Sequence, residues 1–263
     1  MSSPGPAGPG RTGSRPRTAP ARRSKVRIML VAAAVCPCPP LLVPEVATGA
    51  APELDAVRAA CADAVGLLAA ARPDRLYVVG PADGGADGVF PAGATGSFAG
   101  FGVDLSVRLG DGPAGDRPLP VSLAVGAWLL DRAGWAGAPV EGLAVGDDAP
   151  AGDCAGTGRE LAASAGRVAL LVMGDGSACR TVKAPGYLDE RAAGFDAEAV
   201  RALAGADAPA LLALDARLAH ELKASGRAPW QVLAGAAEGA GLDGRLLHED
   251  DPYGVEYVVA AWS

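Results

Sequence analysis

Apolar residues along this chain fall into two patterns, short continuous runs and longer runs with three- and four-residue spacing. Continuous runs that end at proline or glycine are typical of strands buried on both faces, and the spaced runs are typical of amphipathic helices. The first pattern predicts strands at 26–35, 75–80, 140–145, 167–173 and 255–261, with a half-buried strand at 103–109. The second predicts helices at 52–72, 121–132, 158–165, 196–203, 208–224 and 229–240, and the glycine-rich stretch 84–102 predicts a long loop.

The alternation of strands and helices predicts an α/β fold, a single-domain sandwich of helices around a mostly parallel central β-sheet. Ligands of such folds bind outside the carboxyl ends of the strands. Three segments follow predicted strands directly, 36–40, 80–84 and 174–180. We therefore expect these segments to form the site.

Residues 1–25 differ from the rest of the chain because proline, glycine, serine and arginine dominate them and no apolar period is present. This composition predicts a disordered basic tail ahead of one domain at 26–263. A second hypothesis is that translation starts at Met29. A third reads an export signal in Arg22-Arg23 followed by the apolar run 28–35, but that run is short for a signal.

Charge and cysteine content narrow the class further. The chain has 23 Lys and Arg against 30 Asp and Glu, a net charge of -7, and every charged residue before position 28 is basic. The domain is therefore acidic and should repel nucleic acid. Five cysteines, an odd number, predict free thiols in a reducing compartment, and no apolar run reaches membrane-span length. We expect a cytoplasmic protein without nucleic-acid or membrane partners.

Four segments, in order, carry a family resemblance. They read VCPCPPLLVPE from Val35, VVGPAD from Val78, VMGDGSA from Val172 and SGRAPWQVL from Ser225. The chain thereby resembles the class III extradiol ring-cleavage dioxygenases of the catalytic B-subunit type, and in particular their branch related to Memo proteins. The resemblance implies the extradiol dioxygenase B-subunit-like fold.

The resemblance also implies an iron site that this sequence lacks. Family members hold Fe(II) with two histidines and a carboxylate, and a further histidine transfers protons. Here Cys38 stands in place of the first ligand, Ala82 or Asp83 in place of the second, and Ala178 in place of the proton-transfer histidine. Ser225 stands where Memo proteins have a cysteine. The chain has two histidines, which cannot supply three imidazoles.

The candidate metal ligands are Cys38, Asp83 and Ser225, and a thiolate with a carboxylate would shift the preference from Fe(II) toward zinc. Against this, Cys36 and Cys38 fit two small semi-buried thiols, and Asp83 fits a turn beside glycine. The sequence does not decide whether the protein binds a metal cofactor, or which one.

Asp175 and Ser177 are the candidate catalytic pair, because a carboxylate between glycines directly after a buried strand has a free edge. Plain turn chemistry explains them equally well. The remaining polar candidates have simpler interpretations, in which Arg180 and Lys183 neutralise a turn, His220 lies on a helix surface and His248 precedes a solvated acidic turn.

Two functional hypotheses follow. The first is a pseudoenzyme, which keeps the dioxygenase fold and acts as a non-catalytic or repurposed binding protein for a small-molecule ligand. The second is a metal-dependent oxidoreductase of the ring-cleaving dioxygenase class, acting on an aromatic diol through a rebuilt metal site. The sequence leaves the oligomeric state open, a homo-oligomer included.

Overall fold

A seven-stranded sheet forms the centre of the molecule. The computed structural model describes residues 1–5, 29–84 and 86–263. Most of the predicted tail, residues 6–25, lies outside this description. The strands within the described residues are β1 (Met29–Cys36), β2 (Arg75–Pro81), β3 (Gly88–Phe90), β4 (Thr95–Ser97), β5 (Ser106–Arg108), β6 (Val140–Val145), β7 (Arg167–Met173), β8 (Gly244–Asp250) and β9 (Tyr257–Trp262).

The strands of this sheet lie in the order β3-β6-β2-β7-β1-β9-β8, and β4 pairs with β5 apart from it. The four central strands, β6, β2, β7 and β1, are parallel to their neighbours within this group. β3 pairs antiparallel at one edge, and β9 and β8 pair antiparallel at the other. The predicted α/β class is confirmed, with a sheet that is parallel at its centre and mixed overall.

Helices cover both faces of the sheet. They are α1 (Pro44–Ala47), α2 (Asp55–Ala70), α3 (Val121–Arg132), α4 (Ala151–Ala163), α5 (Ala192–Ala204), α6 (Ala208–Ala213), α7 (Ala216–Glu221) and α8 (Arg227–Ala236). Apolar side chains of α2 and α3 form one buried layer with the sheet. Those of α4, α5 and α8 form the second layer on the opposite face. The sheet therefore separates two cores.

The approach of α4 to α8 is close because glycine stands at the contact. A Cβ added at Gly158 of α4 would meet the carbonyl oxygen of Val232, and one added at Gly235 of α8 would meet backbone atoms of Ala155. The backbones of the two helices touch at these glycines, so any side chain at either position would push the helices apart.

The structure corrects the sequence prediction for several elements. The predicted loop 84–102 contains β3 and β4, short strands that its many glycines concealed. The strand predicted at 103–109 is reduced to β5, which lies in a separate hairpin. The helix predicted at 208–224 is two helices, α6 and α7, because the Asp215 carboxylate accepts from the backbone N–H groups of Arg217 and Leu218 and starts a new helix there.

The acidic turn predicted around His248 is wrong, because His248, Glu249 and Asp250 belong to β8. This strand lies at the edge of the sheet, where its side chains are exposed or half-buried. Its sequence therefore has no continuous apolar run to reveal it.

All five cysteines are free and buried, which confirms the prediction of thiols rather than a disulfide framework. Within the described part of the chain, none of the helices combines the length and the apolar content that crossing a membrane needs.

Candidate functional site

An open cavity of about 860 Å³ lies at the carboxyl ends of the parallel strands. Residues that follow β1, β2 and β6 line it together with the end of α7 and the turn into α8. The three predicted metal ligands, Cys38, Asp83 and Ser225, all line this cavity. The predicted convergence of segments 36–40 and 80–84 is therefore observed, whereas segment 174–180 does not contribute to the lining.

Asp175 joins two of these segments from behind the cavity wall. Its Oδ1 accepts a hydrogen bond from the Cys38 backbone N–H at 2.9 Å, and the Cys38 thiol lies 3.8 Å from its Oδ2. Its own backbone N–H donates to the Ser225 hydroxyl at 3.1 Å. The ends of β1 and β7 and the turn before α8 are thus locked to one another.

Glycines make this lock possible. A Cβ at Gly174 would meet the Cα atom of Gly226, and a Cβ at Gly226 would meet the Trp230 ring. The two backbones touch at this point, and larger residues would separate Asp175 from Ser225.

Burial changes the titration of the two groups at the lock. It raises the pKa of Asp175 to about 6, against the opposing hydrogen bonds from Cys38. It also raises the pKa of the Cys38 thiol well above its usual range, and the nearby carboxylates Asp175 and Asp83 act in the same direction. At neutral pH Cys38 is therefore a neutral thiol that donates toward an ionised carboxylate.

Asp83 has a structural partner of its own. Its Oδ2 accepts from the backbone N–H of Val121 at 2.6 Å, which satisfies the first turn of α3 and places negative charge at the helix N-terminus. Ser122, the next residue, donates its hydroxyl to the Pro81 carbonyl at 2.6 Å. This long-range contact with α3 was part of neither the turn-forming nor the metal-ligand interpretation of Asp83.

Ser177 faces a different environment from Asp175. Its backbone N–H and its hydroxyl both donate to the Asp196 carboxylate, at 2.7 Å and 2.6 Å, and both side chains are buried. Ala178 is also buried, and its backbone pairs with Leu222 and Gly186. The two predicted catalytic residues therefore serve different places, Asp175 the cavity wall and Ser177 an interior cluster.

That interior cluster gathers three carboxylates around one guanidinium. Arg180 lies 3.0 Å from Asp251, 3.8 Å from Glu256 and 3.9 Å from Asp196. Burial, reinforced by Asp196, raises the pKa of Glu256 to about 8, and its Oε1 has no hydrogen-bond partner among the described residues. Glu256 is therefore largely protonated at neutral pH, and Arg180 pairs with carboxylates of other elements rather than with one of its own turn.

One part of the cavity lining was missed by sequence reasoning. It consists of Gly146, Asp147 and Asp148 after β6, and of His220 and Lys223 at the end of α7. The sequence contained the signal for the loop after β6. Residues 140–145 were predicted as a strand, and the residues directly after its carboxyl end were not considered as part of the site. His220 lies on the helix surface as predicted, and its Nδ1 is 3.1 Å from Asp147 Oδ2.

Lys223 has an unusual backbone for a lysine, with a φ of 56° in the left-handed region, and five other non-glycine residues among those described also have a positive φ. The N–H groups of Lys223 and Ala224 donate to the carbonyls of His220 and Ala219, the pairing of a Schellman motif. Glycine usually occupies this left-handed position, and here a side chain with an ammonium group lines the cavity instead.

The residues present do not fit ferrous iron. The described residues hold no group of three or more His, Cys, Asp and Glu side chains placed to share a metal ion. Cys38 is held as a neutral thiol, Asp83 is engaged with α3, and the Ser225 hydroxyl accepts from Asp175. Iron oxygenases of this kind need two imidazoles and a carboxylate with open positions. Zinc at Cys38, Asp83 and Ser225 stays a prediction.

Comparison with family models and with curated proteins gave no match. Among solved structures, the chain is similar to an uncharacterized protein, JW3007, from Escherichia coli K12. The TM-score is 0.54 at 16% identity, and the match covers 88% of this chain and 99% of that one. This likeness supports the α/β architecture and the path of nearly the whole domain.

Proposed function

We propose that this chain is an extradiol-dioxygenase-like protein that works without an iron centre, as a binding protein for a small hydrophilic molecule. The cavity at the carboxyl ends of β1, β2 and β6 is the observation that carries this proposal. It stands where ligands of parallel α/β sheets bind, and its volume of about 860 Å³ is that of a small-molecule site.

The lining favours a polar ligand over an aromatic diol. Among the described residues that line the cavity, Phe, Tyr and Trp are absent, so a catechol ring finds no stacking partner. Four aspartates, Asp83, Asp87, Asp147 and Asp148, face one lysine, Lys223. This excess of negative charge favours a ligand that carries an ammonium group together with hydroxyl groups.

The chemistry at the wall agrees with binding rather than turnover. Asp175 forms its bonds with the backbone and thiol of Cys38, and Cys38 is protonated at neutral pH. A neutral thiol is a poor nucleophile and a poor metal ligand. No histidine stands at the position of the family's proton-transfer residue, which is Ala178.

Calorimetric titration with matched probes tests the proposal. Glucosamine, glucose, glucuronate and catechol share a similar size and differ in charge and aromaticity. We expect glucosamine to bind most tightly, with an affinity that falls as salt rises. Asp148→Asn should weaken it about fivefold, a typical loss for one ionic contact, and Asp63→Asn on the exposed side of α2 should leave it unchanged.

Two results would overturn the proposal. Preferential binding of glucuronate or catechol would contradict the charge argument, and no binding of any probe would contradict the cavity as a site for such molecules. Titration with Fe(II) and Zn²⁺ forms a parallel arm. Stoichiometric iron, with oxygen uptake on catechols such as protocatechuate, would establish the metal-dependent oxidoreductase in its place.

A further inference from the structure

A buried polar pair of α8, Arg227 and Gln231, contacts the loop after β6 and the end of α6. Arg227 is 1% exposed and Gln231 is fully buried. One turn of α8 separates them, and the Arg227 Nη1 donates to the Gln231 Oε1 at 2.9 Å. Burying a guanidinium is costly unless its donors are all used, so the partners of this pair are informative.

Arg227 binds the loop that forms one wall of the cavity. Its Nη1 donates to the Ala149 carbonyl at 2.6 Å, and its Nη2 donates to the Asp147 carbonyl. This loop follows β6 and carries Asp147 and Asp148 into the cavity lining. The planar guanidinium grips both carbonyls at once, which a lysine ammonium cannot do with the same geometry.

Gln231 binds the chain that leads into the other wall. Its Nε2 lies 3.2 Å from the Leu211 carbonyl and 3.4 Å from those of Leu212 and Leu214. These carbonyls end α6, directly ahead of α7. The end of α7 carries His220 and Lys223, which line the cavity beside the loop after β6, where His220 contacts Asp147.

The pair therefore connects the loop after β6 and the chain that leads into α7 to α8. We propose that Arg227 and Gln231 are positioning residues that hold these two segments of the cavity lining in place and so determine which molecules the cavity admits. Neither side chain lines the cavity, so both act through the backbones that they bind. The proposal deepens the proposed binding function and rests on it.

The geometry also explains why the pair contains a charge. Arg227 has no carboxylate partner among the described residues, and two loop carbonyls and the Gln231 amide oxygen take its donors. Charge-assisted hydrogen bonds are roughly twice as strong as neutral ones. A neutral side chain of the same length would therefore release the loop after β6 while it still filled the space.

Thiol labelling measures how accessible Cys38 is, and so detects movement of the cavity lining without any ligand. Cys38 lines the cavity and is 7% exposed, whereas Cys36, Cys61, Cys154 and Cys179 are each 2% exposed or less. N-ethylmaleimide would be added to the full chain at pH 8, and the modified peptides would be quantified by mass spectrometry. Movement of a wall should speed the labelling of Cys38 alone, whereas global loosening should speed all five.

We expect Arg227→Met to speed Cys38 labelling about tenfold, the effect of losing one or two charge-assisted bonds on a local opening. Arg227→Lys should give an intermediate rate, because its charge stays and its fork is lost. Arg159→Met, which removes an exposed arginine of α4 that pairs with Glu238, is the matched control and should change nothing.

If Arg227→Met does not fold, Gln231→Met tests the pair from the other side. An unchanged Cys38 rate, or equal acceleration at all five cysteines, would overturn the positioning role. Because the assay contains no ligand, its result stands apart from the probe titrations. Failure of those titrations with selective Cys38 acceleration would reject the binding function and keep the role of the pair.

Discussion

The Asp175 carboxylate accepts a 2.9 Å hydrogen bond from the Cys38 backbone although 137 residues separate the two in sequence. The bond holds the end of β1 against the end of β7, which is its parallel neighbour in the sheet. An acceptor is required there, but a negative charge is not. The cost of burying that charge makes the stability of the protein depend on pH.

Asp175→Asn should raise the free energy of unfolding at pH 8 and leave it nearly unchanged at pH 4. The pKa of Asp175 is about 6 in the folded protein, above its value in an unfolded chain. The unfolded state therefore ionises first as pH rises, and stability falls between about pH 4 and 6 by up to about 3 kcal/mol. Asparagine keeps the oxygen acceptor and removes the charge.

Urea unfolding of the wild type and the variant at both pH values measures this difference. Asp63→Asn, at an exposed position of α2, is the matched control and should give no pH-dependent change. A variant less stable than the wild type at pH 8 would show that the ionised carboxylate stabilises the lock.

Glu256→Gln should behave similarly at a higher pH. Burial raises the pKa of Glu256 to about 8, so wild-type stability should fall as pH rises from about 5 to 8 and the unfolded state ionises first. The loss amounts to roughly 3 to 5 kcal/mol by pH 9. Glutamine avoids it, and the variant should therefore unfold at higher urea than the wild type at pH 9.

Glu198→Gln, at an exposed position of α5, controls for the removal of one acidic group. If Glu256→Gln destabilised the protein at pH 9, the ionised carboxylate would stabilise the fold through Arg180 and the pKa of Glu256 would not be raised. Such a result would reject the protonated state assigned to Glu256.

Ser177→Ala should lower stability by about 2 kcal/mol, because a buried carboxylate, Asp196, loses one of its two short hydrogen bonds. Thermal unfolding checks this loss. Labelling of Cys38 and glucosamine binding should not change, since Ser177 lies outside the cavity lining. Altered glucosamine affinity at unchanged stability would instead support the catalytic-site prediction for Ser177.

Two glycines of α4 should respond oppositely to alanine. Gly158→Ala should cost more than about 2 kcal/mol, because its Cβ would strike the Val232 carbonyl of α8. Gly156→Ala should stabilise the protein by about 0.5 to 1 kcal/mol, because open space surrounds the new methyl group and alanine favours a helix. Chemical denaturation of both variants provides the comparison, and equal effects would contradict the close packing of α4 on α8.

Much of the fold could be predicted because the central strands are buried on both faces. Val140–Val145 and Arg167–Met173 agree with their predicted ranges, as does helix Val121–Arg132. The failures lie where burial is partial. β8 at the sheet edge shows no apolar run, and Asp215 divides a helical apolar period that looked continuous.

The site was predictable at the level of segments and less so at the level of contacts. Strand ends at Cys38 and Asp83 converge on one cavity because parallel neighbours end at the same edge of the sheet. Sequence adjacency suggested that Asp175 and Ser177 act together. An extended strand would place two side chains that are two residues apart on the same face. Residues 174–177 continue beyond β7 in irregular backbone instead, and Asp175 faces Cys38 while Ser177 faces Asp196.

Lys223 shows a conflict between stability and recognition at one position. Its left-handed backbone costs about 1 kcal/mol that a glycine would not. Lys223→Gly should therefore make the end of α7 more stable, and it would also remove the ammonium group from the cavity wall. A search for more stable variants would converge on this substitution and leave a more negative cavity, which would attract any cation more strongly and offer no cationic partner to an acidic group of a ligand.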